Sequence, residues 1–263
     1  MKKRSYTPYF IVGAQRSGTG VMHHCLRGHP AISALHDELA LEPFFTDGLA
    51  TFTTGSSGTE TERKEGRRSL FNALTEPGRT SNTQACGAKC AFGYGSQGAR
   101  FADVVQREFP QAKIIHVVRQ DQVALFGSRV RAQDTGIYYQ KKQRDAAEGP
   151  TFSLDRYRFV SHMLDMNEVN VNLRRLRETH DVFTVEYEAD ILSGELRTDE
   201  SLFSFVDVEP QTAMWLDQRK ISPPPEAYIL NYDELRKLQS QVEEQLAEGQ
   251  SPSKLRKKYS PPP

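Results

Sequence analysis

The chain has 263 residues, with 34 lysines and arginines against 34 aspartates and glutamates, so its formal net charge is zero. A protein whose main role is to bind nucleic acid or an anionic membrane needs an excess of positive charge, which this chain lacks. Its 37% of hydrophobic residues can form the core of one large domain or two small ones. The N-terminal apolar stretch is too short for a signal peptide, and no stretch approaches the roughly 18 apolar residues of a membrane span. The sequence therefore predicts a cytoplasmic protein without nucleic acid or membrane partners.

The cysteines predict a reduced protein without a metal site. Cys25, Cys86 and Cys90 are odd in number and lack the paired spacing of metal ligands. Free thiols are the usual state of cysteine in a reducing compartment. We therefore expect three free, mostly buried thiols and no metal cofactor.

Short apolar runs, each followed by a segment with helical spacing of its apolar residues, recur along the chain. This alternation predicts an α/β fold in which helices flank a central, mostly parallel sheet. The predicted strands cover residues 9–13, 31–35, 113–118 and 181–187. The predicted helices cover residues 21–27, 123–131 and 153–179.

We interpret residues 1–248 as a single domain with two polar insertions. Thr, Ser, Gly and charged residues dominate the stretches near 51–84 and 140–150, which are predicted to be lid-like. The basic, proline-rich tail 249–263 has few apolar residues and is expected to be flexible.

The strongest signal is the loop GAQRSGTG, which directly follows a predicted strand and precedes a predicted helix. In that position, backbone N–H groups and the positive end of the helix dipole converge on one point and form an anion site. The first 36 residues carry five basic residues and no carboxylate, which suits a small polyanionic ligand. The residues predicted to line this site are Gly13, Ala14, Gln15, Arg16, Ser17, Gly18, Thr19 and Gly20.

The position of the cation distinguishes this loop from that of a kinase. Gly13 and Gly18 match the glycines of GxxxxGK[ST], but Thr19 replaces the lysine that reaches the terminal phosphates of a nucleoside triphosphate. The cation of the loop is Arg16 instead. The segment FIVGAQRSGTG resembles the 5'-phosphosulfate loop of sulfotransferases that use 3'-phosphoadenosine 5'-phosphosulfate (PAPS). The resemblance implies a P-loop-like, three-layer α/β fold.

A second segment, residues 114–132, resembles the part of the same family that binds the 3'-phosphate. There an arginine ends a strand and a serine lies on the next helix, and Arg119 and Ser128 are the matching positions. Their spacing resembles the bacterial sulfotransferases that act on nodulation factors and trehalose. The family segment after the strand arginine commonly reads Arg-Arg-Asp or Arg-Asp-Pro, where this chain has Arg119, Gln120 and Asp121. The 3'-phosphate thus has fewer cations than usual unless Arg129 or Arg131 turns inward.

Weaker resemblances extend towards the C-terminus. The segment TVEYE, residues 184–188, is similar to the strand ending that precedes the last helices of the family. Residues 218–223 and 231–235 resemble its C-terminal segment. A basic residue there can close over the nucleotide, and Arg219 and Lys220 are the candidates.

The resemblance implies that a sulfuryl group moves from PAPS to an acceptor hydroxyl and leaves the product PAP, without a metal. Arg16 and the loop amides would stabilise the leaving 5'-phosphate, and a base would take the acceptor proton. Residues 29–39, HPAISALHDEL, resemble the family stretch in which the catalytic glutamate follows a His-Pro pair, which places that glutamate at Glu38. His36, which would face the same side of an extended chain, is the alternative. The other possible bases are Asp37 and Glu42.

The acceptor site has only weak candidates. Lys89 lies where bacterial members often carry lysine, His23 follows the loop, and Phe45 is one of several aromatics in the variable segments. His116, among isoleucines and valines, is predicted to be a core histidine. A small molecule, a glycan or a natural product of phenolic or lipid-like character fits these residues equally well.

Two other functions remain possible on the sequence alone. The chain can be a nucleotide phosphotransferase or NTPase with a degenerate loop, although it lacks the loop lysine and a clear strand ending in a magnesium-binding Asp. It can also be a non-catalytic nucleotide-binding protein on the same fold.

Overall fold

The computed structural model of the chain describes residues 6–34, 82–136, 150–193, 200–210 and 223–260. Its strands are β1 (Thr7–Ala14), β2 (Ile32–Ala34), β3 (Ala85–Phe92), β4 (Lys113–Val118) and β5 (Val182–Glu186). They form a five-stranded, all-parallel sheet in the order β2-β3-β1-β4-β5, with helices on both faces. The predicted α/β fold with a central parallel sheet is confirmed.

Helices connect the strands and cover the sheet. They are α1 (Thr19–Arg27), α2 (Gly95–Glu108), α3 (Gln122–Thr135), α4 (Arg156–Arg175), α5 (Ser201–Phe205), α6 (Tyr232–Ala247) and α7 (Pro252–Lys258). Short 3-10 helices lie at Leu176–Glu178 and Pro225–Ala227, and a π-helical turn at Tyr187–Leu192 follows β5.

Strand β1 lies in the middle of the sheet and is buried on both faces. Phe10 contacts Phe101 and Phe109 edge to face, with ring centroids 5.5 and 5.2 Å apart, in the core under α2 and α4. On the opposite face, Tyr9 and Ile11 belong to the core under α1. A strand enclosed on both faces has a continuous apolar sequence, which is why β1 was predictable.

Two elements beside β1, namely β3 and α2, were not predicted. The sequence of β3, ACGAKCAF, contains small residues and a half-buried Lys89 in place of a β-branched run. Gly87 is needed there, because a Cβ atom would lie 2.4 Å from the carbonyl oxygen of Tyr9. The close packing of two strands thus favours the residue types that weaken a strand signal. The remaining residues of the predicted insertions, 51–81 and 140–149, lie outside the described residues.

The C-terminal tail differs from its expected flexibility, because residues 252–258 form α7. The backbone N–H of Lys254 donates to Ser251, and Pro252 stands in the first turn, two features that favour a helix start. Leu255 is fully buried against α4 and α6, and Arg256 forms a 2.7 Å ion pair with Asp165. Arg256 also donates to Ser161 Oγ over 2.8 Å, and Lys258 donates to Gln245 Oε1 over 2.7 Å. These contacts are tertiary, and a single buried leucine is too weak a pattern to predict the helix.

The buried titratable residues match the predictions. The three cysteines are free and buried, and burial raises the pKa of the Cys25 and Cys86 thiols to about 12. Burial also lowers the pKa of His116 to about 4, and its Nε2 lies 3.3 Å from Asn170 Oδ1. His116 is therefore a neutral core histidine.

None of the described helices combines the length and apolar character needed to cross a membrane.

At the end of β1, Gly13 lets β1 and β4 come close together. A Cβ atom at this position would lie 2.4 Å from the carbonyl oxygen of Val117 and 2.8 Å from the hydroxyl oxygen of Ser17. The first neighbour is backbone, so it cannot move aside without distorting β4. Gly13 is thus fixed by strand packing, whatever the loop after it binds.

We expect Gly13→Ala to lower the free energy of unfolding by about 2 kcal/mol or more, because the methyl group overpacks two strands. Gly20→Ala is the matched control, since a Cβ atom there meets nothing within 4 Å and Ala favours the helix. Urea denaturation of both variants measures the difference. Equal stability of the two variants would contradict the role of Gly13 in the packing of β1 against β4.

Leu255→Ala is expected to lower the free energy of unfolding by about 3 kcal/mol, because it leaves a cavity between α7 and the core. Leu230→Ala, at a leucine that is 69% exposed, should change stability by less than about 0.5 kcal/mol. Thermal and urea denaturation test both variants. If α7 contributed nothing to the free energy of unfolding, the two variants would be equally stable.

Candidate functional site

The loop between β1 and α1 turns sharply at the carboxyl edge of the sheet. Arg16 and Gly18 both have left-handed backbone conformations, with φ of 72° and 102°. Glycine adopts such a conformation easily, whereas arginine does so at a cost of roughly 1–2 kcal/mol. Because Arg16 is not glycine, its side chain is available to the site at the expense of local strain.

The N-terminus of α1 is open to an anion. Its N-cap, Gly18, supplies no side-chain hydrogen bond, and the first turn contains no acidic residue. The hydroxyl of Ser17 is fully buried and makes no hydrogen bond to the residues that the structure describes. A buried polar group without a partner costs stability, which a ligand oxygen would recover.

The structure brings together Arg16, Ser128 and Arg119, three residues predicted to lie in one site. Arg16 Nε donates to Ser128 Oγ over 3.1 Å, and Arg119 Nη1 donates to the carbonyl oxygen of Arg16 over 3.1 Å. Arg119 and Ser128 are buried, and Arg16 is half-buried. Two guanidinium groups and a hydroxyl therefore meet beside the open end of α1.

Tyr187, at the start of the π-helical turn, joins this group from β5. Its ring lies 4.5 Å from the guanidinium carbon of Arg119, within range of a cation–π interaction. The same ring packs on the loop, because a Cβ atom on Gly18 would come within 2.7 Å of it. Burial raises the pKa of Tyr187, so its phenol stays protonated at neutral pH. Tyr187 thus fixes one face of Arg119 without adding charge.

Carboxylates occupy the N-terminus of α3, unlike that of α1. Glu188 accepts from the backbone N–H groups of Gln120 and Asp121, over 3.0 and 3.1 Å. The N-cap Asp121 accepts from Ala124 N at 2.8 Å and from the Tyr232 hydroxyl at 2.6 Å. Carboxylates neutralise the positive end of a helix dipole. Of the N-termini of α1 and α3, only that of α1 therefore leaves its positive end for a ligand.

Arg129 and Arg131, the arginines considered as additional cations, have different positions. Arg129 Nη1 donates to the carbonyl oxygen of Gly93 over 3.2 Å, at the end of β3. Arg131 lies over the ring of the buried Tyr228, 5.0 Å from its centroid. Burial raises the pKa of Tyr228, while Arg119, Arg131 and Arg16 act on it in the opposite direction. Arg131, Arg119 and Arg16 thus all lie within electrostatic range of the Tyr228 phenol.

Other predicted site residues lie on β3 and α1, or outside the described part of the chain. Lys89 is half-buried on β3, in register with Ile11 of β1. His23 is buried on α1, with its ring centroid 6.0 Å from that of His24. The predicted residues outside the described ranges are His36, Asp37, Glu38, Glu42, Phe45, Arg219 and Lys220.

Three residues of the site were not assigned from the sequence. Tyr187 and Glu188 lie in the segment TVEYE, which resembles a family strand ending, but no role followed from it. Tyr228 gave no signal, because a tyrosine that follows a proline-rich stretch is typical of a surface loop. All three reach the site through tertiary packing.

Within the described ranges, no group of three or more His, Cys, Asp or Glu side chains is arranged to hold a metal ion.

Comparison with solved structures finds matches of low sequence identity, with TM-scores below 0.5. The sulfotransferase domain of the Synechococcus PCC 7002 olefin synthase is 19% identical, with a TM-score of 0.46 over 90% of this chain and 96% of that one. A sulfotransferase from Alicyclobacillus acidocaldarius is 17% identical, with a TM-score of 0.46 over 85% and 89%. A protein from Janibacter described as a sugar kinase is 14% identical, with a TM-score of 0.42 over 80% and 99%.

Comparison at the level of sequence families is more specific. No curated protein sequence matches the chain. The family model described as "Sulfotransferase family" matches residues 8–212, well over half of the chain. This range includes the loop after β1, Arg119, Ser128, Tyr187 and Glu188. The chain therefore belongs to the sulfotransferase family.

Proposed function

We propose that this protein transfers the sulfuryl group of PAPS to a hydroxyl group of a small-molecule or carbohydrate acceptor. Family membership supports sulfuryl transfer. One observation carries the choice of donor: Arg16, Ser128 and Arg119 are linked by hydrogen bonds beside the open N-terminus of α1. This arrangement suits a compact ligand with two separate phosphates.

The residues present fit such a ligand. The loop amides, the buried Ser17 hydroxyl and Arg16 suit the 5'-phosphate end. Arg119 donates one hydrogen bond to the described residues, so most of its five N–H groups are available for a 3'-phosphate. Ser128 accepts from Arg16, which leaves its own O–H group to donate.

Bound PAPS supplies a sulfuryl group attached to a phosphate leaving group. Arg16 and the loop amides stabilise the negative charge that develops on this phosphate. The carboxylate of Glu38 takes the proton of the acceptor hydroxyl, with the imidazole of His36 as the alternative base. This assignment rests on the resemblance of residues 29–39 to the family segment, since both side chains lie outside the described residues.

Further roles complete the proposal. Arg219 and Lys220 close over the nucleotide, and Lys89, His23 and Phe45 contact the acceptor. The half-buried position of Lys89 on β3, next to the central strand, is compatible with this role.

The structure gives less support to a magnesium-dependent NTPase. The two strands beside β1 end at Phe92 and Val118, followed by Gly93 and Arg119, so neither strand end provides a carboxylate. Thr19, buried at the start of α1, takes the place of the loop lysine. Both features that position a metal-bound triphosphate are thus missing from these described elements.

The donor can be tested by ligand-induced stabilisation. We expect PAP without magnesium to raise the melting temperature by several degrees at saturation, because it binds only the folded protein. ATP with magnesium should raise it much less. Differential scanning fluorimetry with EDTA in the PAP samples measures both effects. A larger shift with ATP and magnesium would reject the proposed donor.

The base can be tested with Glu38→Gln and His36→Ala. Glu38→Gln is expected to keep the affinity for PAP within about twofold and to lower turnover at least a hundredfold, the usual effect of a lost general base. Turnover is measured with labelled PAPS and a panel of phenol, sugar and lipid-like alcohol acceptors. Full activity of Glu38→Gln combined with an inactive His36→Ala would transfer the role to His36.

A further inference from the structure

Glu188 links two segments of the site that are far apart in sequence. It lies in the π-helical turn after β5, and its carboxylate accepts from the N–H groups of Gln120 and Asp121 at the start of α3. The same carboxylate has an oxygen 3.8 Å from Arg119 Nε. Two backbone N–H donors from one strand end therefore converge on a single half-buried carboxylate, and the guanidinium group of Arg119 lies beside it.

These contacts restrict Arg119 on several sides. Tyr187 lies against one face of its guanidinium group, the Arg16 carbonyl oxygen accepts from Nη1, and Glu188 faces Nε. A free arginine side chain has many rotamers, and a ligand that binds it must restrict them at an entropic cost. An arginine that is already held avoids much of that cost.

We propose that Glu188 is a positioning residue, which orients Arg119 towards the 3'-phosphate of the nucleotide. The inference rests on the proposed function. Glu188 does not touch the ligand in this scheme: it acts through Arg119 and through the backbone turn that precedes α3. Its effect should therefore be limited to ligands that carry a 3'-phosphate.

A carboxylate so close to a phosphate site needs a compensating benefit, because it repels an anionic ligand. The two backbone N–H groups and the N-terminal end of α3 compensate much of its charge. Glutamine at this position has one carbonyl oxygen for two N–H donors, and its amide group would face the guanidinium group of Arg119 with N–H against N–H. Glu188→Gln should thus lose the positioning effect while it keeps the size of the side chain.

The experiment compares the affinities for PAP and AMP, which differ in the 3'-phosphate. Isothermal titration calorimetry on the full chain gives both dissociation constants for wild type, Glu188→Gln, Arg119→Ala and the double variant. Glu186→Gln is the control, since Glu186 is an exposed glutamate two residues away. The AMP affinity reports whether each variant retains a folded loop.

We expect the wild type to prefer PAP, and each single variant to reduce this preference about tenfold while AMP binding is unchanged. The double variant should reduce it no further than Arg119→Ala, because Glu188 acts through Arg119. Glu186→Gln should stay within twofold of wild type. Glu188→Asp, which keeps the charge with a shorter reach, should lie between Glu188→Gln and wild type and serves if Glu188→Gln does not fold.

The inference is wrong if Glu188→Gln retains the preference for PAP, binds PAP more tightly, or loses PAP and AMP affinity to the same extent. Additive losses in the double variant would also reject it. A wild type without any preference for PAP over AMP would reject the proposed donor, and the inference with it. If only the positioning role fails, the wild type still prefers PAP over AMP. That result differs from failure of the proposed donor, in which the wild type shows no preference.

Discussion

The hydrogen bond from Arg119 to the carbonyl oxygen of Arg16 joins the two strand ends on which the candidate site depends. Arg119 follows β4, and Arg16 lies in the loop after β1, so the bond closes the carboxyl edge between neighbouring parallel strands. The left-handed backbone of Arg16 directs its side chain to Ser128 on α3. One contact between backbone and side chain thus couples the loop, the strand end and the next helix.

The placement of carboxylates decides where an anion can bind at this edge. The chain has zero net charge, so its overall field attracts no polyanion. Asp121 and Glu188 neutralise the start of α3, whereas the start of α1 has no acidic residue in its first turn. An anion is therefore attracted locally by the loop amides and by the open start of α1. A compact ligand responds to this local difference, which the net charge of the whole chain does not reveal.

Much of the fold and part of the site were predictable, for reasons that are visible in particular residues. The strands β1 and β4 are buried on both faces and have continuous apolar sequences, and Arg16, Arg119 and Ser128 follow from motifs at fixed positions relative to them. By contrast, Gly87 and the other small residues of β3 are selected by packing against β1. Tyr228 reaches Arg131, and Glu188 reaches Arg119, from distant segments, and no local pattern records such contacts.

The arginines of the candidate site are held by different kinds of partner. These partners affect which ligands the site can distinguish. Arg16 contacts a hydroxyl group, Arg119 an aromatic ring and a carboxylate, and Arg131 the ring of Tyr228. Aromatic rings hold a guanidinium group without using its in-plane N–H donors, because they contact its face. Tyr187 and Tyr228 therefore orient the guanidinium groups of Arg119 and Arg131 without occupying their N–H donors. Under the proposed function, a site built this way would distinguish phosphates by geometry, since its donors point in set directions before the ligand arrives.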